Sequence, residues 1–145
     1  WIGLEDATGP ELDLGELVTY LDDAVLLAPS MLLAPEVRFE HVDDATFAVS
    51  LTDAGLTVTG RVEVDARGAP LNFSTTDRFY RDPSERGARW QRTRWSTPIA
   101  GWELTGGAPR LIGASAIWHL RDEDFSYAEL QPLHERFAFN VRPGE

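Results

Sequence analysis

Val37-Arg38-Phe39-Glu40-His41-Val42, Thr46-Phe47-Ala48-Val49-Ser50-Leu51-Thr52, Leu56-Thr57-Val58-Thr59-Gly60-Arg61-Val62-Glu63-Val64 and the stretch Pro70 to Tyr80 are four successive runs in which apolar and polar residues alternate. Alternation at period two puts one face of each strand in a core and the other toward water, as in an antiparallel sheet covered on one side. Only tight-turn sequences separate the runs, so they read as a β-meander. The pattern sets a fold class and no chemistry.

Upstream of the meander, residues 12 to 28 read as the one helix. Asp13 and Glu16 resemble a capping box, with Leu12 and Leu17 placed as a hydrophobic staple. Leu14, Leu17, Val18, Leu21 and Val25 recur at helical spacing, and Pro29 stops the helix at Ala28. The following Pro29 to Pro35 is an apolar connector, expected to line the core. Downstream, Asp82-Pro83-Ser84-Glu85-Arg86-Gly87 is a polar turn sequence. Strands are expected to resume at Ala88 to Thr97, near Gly101 to Leu104, at Leu111 to Arg121 and from Phe125 onward. Tyr127 to Val141 reads as one bent strand or two broken near Pro132. The expected architecture is α+β and mainly antiparallel: a curved meander sheet or half-barrel with one main helix packed on it.

Composition narrows the chemistry. The 145 residues fit a single domain, 1–145, with enough chain for an ordinary core. The chain opens on Trp1 instead of methionine, which reads as a piece lacking upstream residues that carry a signal or more strands. It contains no cysteine, and all 13 basic residues are arginine, so disulfides, thiolate sites, Schiff-base lysines and a Walker lysine are excluded. A net charge of −11 argues against nucleic acid as a partner, because phosphate binding needs a basic face. No run approaches the length of a transmembrane segment, and a cytoplasmic location is favoured for the chain as given. Oligomeric state is not specified.

The catalytic constellations are missing. His41, His119 and His134 are too dispersed for a sequence metal motif, and there is no G-x-S-x-G elbow or Gly-rich phosphate loop. No catalytic residue, metal or cofactor is therefore assigned. Asp22-Asp23, Asp43-Asp44 and Asp122-Glu123-Asp124 read as solvated groups on a helix surface or in turns. The stretch Pro70 to Tyr80 is less bland. If Leu71, Phe73 and Phe79 face the core, Thr75 and Asp77 share that face; a register slip puts Arg78 there instead. A buried carboxylate needs a partner, and Arg92 and Arg94 lie on the neighbouring run, sharing a face with Trp90 while Gln91, Thr93 and Trp95 take the other. Trp90, Trp95, Trp102, Trp118 and Tyr127 all fall on later strands, where they fill the core or line a cavity. The expected ligand-binding set is Asp77, Arg78, Arg92, Arg94, Trp95, Trp118 and Tyr127.

Tyr20-Leu21-Asp22-Asp23-Ala24-Val25, Ala28-Pro29-Ser30-Met31-Leu32-Leu33, Val37-Arg38-Phe39-Glu40, Asp77-Arg78-Phe79-Tyr80 and Ile117-Trp118-His119-Leu120 before Phe125-Ser126-Tyr127 together resemble a bacterial family of unknown function, DUF6544. The similarity spans roughly Leu14 to Asn140. The chain departs from the family pattern in carrying Leu26-Leu27 where a tryptophan is expected, and in lacking the upstream strands of longer members. The resemblance transfers no activity. At the level of fold it is similar to half-barrels that hold acyl chains in lipoprotein carriers. The function expected is non-enzymatic binding of an apolar or amphipathic small molecule, with Arg78, Arg92 or Arg94 anchoring a carboxylate or phosphate head. The alternatives are an acid/base enzyme using Asp77 or His119, and a structural domain with a filled core.

Overall fold

The computed structural model describes residues 8–131 other than Gly106. Pro132, His134 and the continuation to Val141 lie outside the described residues.

Helix α1 runs Pro10–Leu26, starting earlier than the capping-box reading of Asp13 and Glu16. Pro10 takes the first helical position, where its missing N–H costs nothing. The Gly9 carbonyl accepts from the N–H groups of Leu12 and Asp13, both at 3.0 Å, so Asp13 lies inside the first turn and caps nothing. Pro29 opens a 3-10 helix, Pro29–Leu33. Leu32 and Ala34 pack partly on the core, whereas Leu33 is 85% exposed, so the connector lines the core along one side only.

Strands β1 (Val37–Asp43), β2 (Thr46–Asp53), β3 (Leu56–Val64) and β4 (Pro70–Thr75) follow. The remaining strands are β5 (Phe79–Tyr80), β6 (Gln91–Arg92), β7 (Trp95–Thr105), β8 (Ala108–His119) and β9 (Asp124–Leu130). The main sheet has the order β1-β2-β3-β4-β7-β8-β9, antiparallel throughout and not closed into a barrel. β5 and β6 pair with each other in a separate two-stranded sheet.

Two expected strands are therefore broken. Pro70 to Tyr80 leaves the main sheet after Thr75, and Ala88 to Thr97 divides between β6 and β7. Side chains repair the first break. Beyond Thr75 the edge of β3 loses its partner. The Thr75 hydroxyl then donates to the Thr59 carbonyl at 2.7 Å, and an Asp77 carboxylate oxygen accepts from the Thr59 N–H at 2.8 Å. Buried backbone groups need partners, and here polar side chains supply what β4 no longer does.

The core lies between one face of the sheet and α1. Val18, Leu21 and Val25 of the helix meet Val49, Leu51, Val58, Val62 and Phe73 of the sheet, with Leu14 and Leu17 at the margin. α1 packs on β2, β3 and β4 and touches β5. Leu26, at its end, packs with Leu111 and Ala114 of β8.

Gly60 has a specific task inside β3. A Cβ there would sit 2.1 Å from Cε2 of Phe73, which is fully buried; the ring lies directly on the glycine backbone. Gly60→Ala is expected to destabilise by about 1–3 kcal/mol through overpacking. Combining it with Phe73→Leu should recover part of that loss, as read by chemical denaturation. A double variant that loses the sum of both single effects would reject the proposed contact.

Candidate functional site

The break after Thr75 brings several of the expected residues together. The β5–β6 hairpin folds over β7 and β8 on the helix side and sets Tyr80 against Trp118, ring centroids 5.4 Å apart. Arg78 places its guanidinium carbon 4.3 Å from the Trp95 ring centroid and 5.6 Å from that of Trp118. Tyr127 stacks on Trp118 at 6.3 Å, and its hydroxyl accepts a 3.2 Å bond from the Trp95 indole N–H. The ring reaches them because β9 shifts register between Ala116 and Ile117 of its partner, leaving Tyr127 unpaired in the ladder. Trp95 and Trp118 are buried. Trp95 and Trp118 belong to the core and Tyr80 packs against it, whereas Tyr127 is 44% exposed.

Asp77, in the link between β4 and β5, meets Arg92 of β6 at 2.8 Å; the partner is one the alternation suggested, but the pair does not join neighbouring strands and Arg92 is exposed. Both carboxylate oxygens are committed, one to Arg92 and one to the Thr59 N–H. The expected sharing of a face by Trp90, Arg92 and Arg94 does not survive the change of sheet at Thr93. Trp90 lies under Arg81, 4.8 Å from ring to guanidinium, Arg92 lies over Phe79 at 5.8 Å, and Arg94 points into solvent.

Asp22 corrects a sequence expectation. It is buried rather than solvated, because it lies four residues after Val18 on the same stripe. The hydroxyl of Thr97, on β7, donates to it at 2.6 Å. Burial pushes the Asp22 carboxyl up to about 7, reinforced by Asp23 and opposed by the Thr97 bond and the attraction of Arg78. Burial also raises Asp23, again against the pull of Arg78.

Sequence reading also missed a chain of bonds on the opposite face. The Ser96 hydroxyl lies 2.8 Å from His119 Nε2, and His119 Nδ1 lies 2.8 Å from an Asp124 oxygen. That is the order of a nucleophile, base and orienting acid. The burial runs the wrong way for nucleophilic catalysis: Ser96 is 3% exposed and the Asp124 side chain 65%. Ser96 also sits near the start of β7, paired with β4 on one side and β8 on the other, not on a turn with N–H groups free for an oxyanion. The chain clasps β7, β8 and β9 together. Counting across the turn between Thr105 and Ala108 pairs Ser96 with Ile117 and brings His119 within reach, so the signal was present in the hairpin register.

A roomy concavity lies elsewhere. A half-open groove of about 1060 Å³ runs between α1, the 3-10 helix and the β2–β3 hairpin. Leu17, Met31, Ala34, Leu51 and Leu56 give it an apolar floor, and Asp13, Glu16, Asp23, Glu36 and Asp53 stand around it. The hairpin closes on Ala54 and Gly55, both at positive φ, which bends the chain tightly enough to wall one end. None of Asp77, Arg78, Arg92, Arg94, Trp95, Trp118 and Tyr127 lines it. Among the described residues no group of three or more histidines and carboxylates is placed to hold a metal, and no helix is long and apolar enough to cross a membrane.

A family of unknown function, DUF6544, matches residues 1–130. No curated protein and no solved structure matches the chain.

The raised Asp22 carboxyl has a measurable consequence. The folded protein holds that proton up to about pH 7, whereas the unfolded chain releases it near the ordinary carboxylate value. The fold therefore binds more protons within this window, and its stability falls as pH rises through it. Between pH 5 and pH 8 the loss should be on the order of 2–3 kcal/mol. Asp22→Asn keeps an acceptor for Thr97 and should flatten that part of the profile. Equal slopes for wild type and variant would place the titration elsewhere.

Proposed function

We propose that this chain, which belongs to the DUF6544 family of unknown function, is a non-enzymatic binding module that takes an amphipathic small molecule in the groove between α1 and the β2–β3 hairpin. The observation that carries the reading is the groove itself. Its volume of about 1060 Å³ is at the upper end for small-molecule sites, and an apolar floor with polar groups around it is the usual construction of such sites. The groove's floor is formed by side chains already committed to the core or its margin, Leu51 and Leu17 among them. A ligand chain laid there covers apolar surface without displacing packed residues.

The aromatic cluster serves the core in this reading. Trp95 and Trp118 are covered by Tyr80, Tyr127 and Arg78, which stabilises the half of the sheet that α1 covers least. The clasp of Ser96, His119 and Asp124 does the same on the outer face.

The test is calorimetric titration with decyl glucoside, a neutral single-chain amphiphile, below its micellar concentration. Saturable binding is expected. Met31→Ser removes an exposed apolar wall of the groove and should weaken binding about five-fold while leaving the melting temperature unchanged. Absence of binding, or equal binding by the variant, would reject the groove as the site.

A further inference from the structure

We infer that the natural occupant of the groove is a single-chain amphiphile with a positively charged ammonium head. This rests on the reading of the groove as the binding site and adds the chemistry of the head.

Five carboxylates face this one concavity from three separate stretches of chain: Asp13, Glu16 and Asp23 on α1, Glu36 ahead of β1, and Asp53 at the end of β2. Among the described residues that line it there is no arginine or histidine. None of the five makes an ion pair with a described residue. The nearest base in sequence, Arg38, is turned back onto the carbonyl oxygens of Pro35 and Val37. Arg78 attracts Asp23, but it is held on the indole faces of Trp95 and Trp118 and does not line the groove.

Local structure explains part of this set. Asp13 complements the positive end of the α1 dipole, and Asp53 opens a hairpin turn. Glu16, Asp23 and Glu36 have no such local role, and partial burial already disfavours the charge on Asp23. Like charges gathered around a concave low-dielectric wall focus the field inside it and raise the local concentration of cations. Tyr20, 51% exposed, lines the same groove and offers a ring face to an ammonium group.

The apolar floor decides between kinds of cation. A small hydrated ion gains nothing from Leu17, Met31, Leu51 and Leu56. A basic peptide needs a longer track than a site of small-molecule size provides. An alkyl chain with one cationic end uses both features, with the tail on the leucines and the head among the carboxylates. This reverses the charge expected for the head from the arginines of the second half.

Three amphiphiles with the same decyl chain separate the possibilities when each is titrated calorimetrically below its micellar concentration: decyltrimethylammonium, decyl glucoside and decanoate. The cationic form should bind about ten-fold more tightly than the neutral one, and decanoate more weakly than either. Raising the salt concentration should narrow the gap between cationic and neutral forms. The triple variant Glu16→Gln, Asp23→Asn, Asp53→Asn should still bind decyl glucoside and should bring decyltrimethylammonium to within about two-fold of it. Cationic binding no tighter than neutral binding in the wild type overturns the head-group inference and leaves the groove standing. Failure of all three to bind overturns the groove as well. A lysine- and leucine-rich peptide that outcompetes decyltrimethylammonium would mean that the occupant is a basic partner segment.

Discussion

One helix has to cover one face of a seven-stranded sheet, and it is too narrow to do so. Seven strands spaced about 4.8 Å apart span roughly 29 Å, whereas a helix with its side chains is roughly 10 Å across. α1 accordingly packs on β2, β3 and β4 and leaves β7 to β9 uncovered for most of their width. The rest of the molecule answers that shortage. On one side the chain leaves the sheet after Thr75 and returns as the β5–β6 hairpin, whose Tyr80 and the preceding Arg78 cap Trp95 and Trp118. On the other side nothing comparable among the described residues lies over the margin between α1 and the β2–β3 hairpin, and the groove remains.

Covering a sheet with a hairpin instead of a helix brings polar groups inside. Arg78 arrives with its Nη1 buried and without a hydrogen-bond partner. Such a nitrogen is costly in a core, and the faces of two indoles are the compensation the fold supplies. Asp22 arrives from the helix side for a related reason. The stripe that points α1 at the sheet includes it, and Thr97 stands opposite to donate a bond. The carboxyl then keeps its proton to a higher pH than an exposed aspartate, so the joint between helix and β7 is sensitive to pH.

Much of this was legible in the sequence, and the exceptions have physical causes. Period-two alternation gave β1 to β3 nearly to the residue, because β2 and β3 each turn one face to the core and β1 keeps the same alternation at the sheet edge, where it is exposed beyond Val37. The Leu17, Leu21 and Val25 stripe gave the helix and its packing side. The division of Pro70 to Tyr80 was hidden, since Phe79 and Tyr80 are as apolar as strand residues of the main sheet and only the side-chain bonds from Thr75 and Asp77 to Thr59 show where β4 stops. The buried state of Asp22 could have been found by counting four residues on from Val18. The groove could not be read in advance, because it is made by three stretches of chain whose juxtaposition depends on how α1 crosses the sheet. The candidate site residues came from the aromatic and arginine-rich half, which the fold uses to close its core.

The account turns on where the uncovered surface lies, and amide hydrogen exchange with and without decyltrimethylammonium locates it. Slower exchange is predicted in α1 around Leu17 to Asp23, in Met31 to Ala34 and in the β2–β3 hairpin around Leu51 to Leu56, with β8 and β9 unchanged. Slowing centred on β8, β9 and the segment around Arg78, with no change at α1, would contradict it.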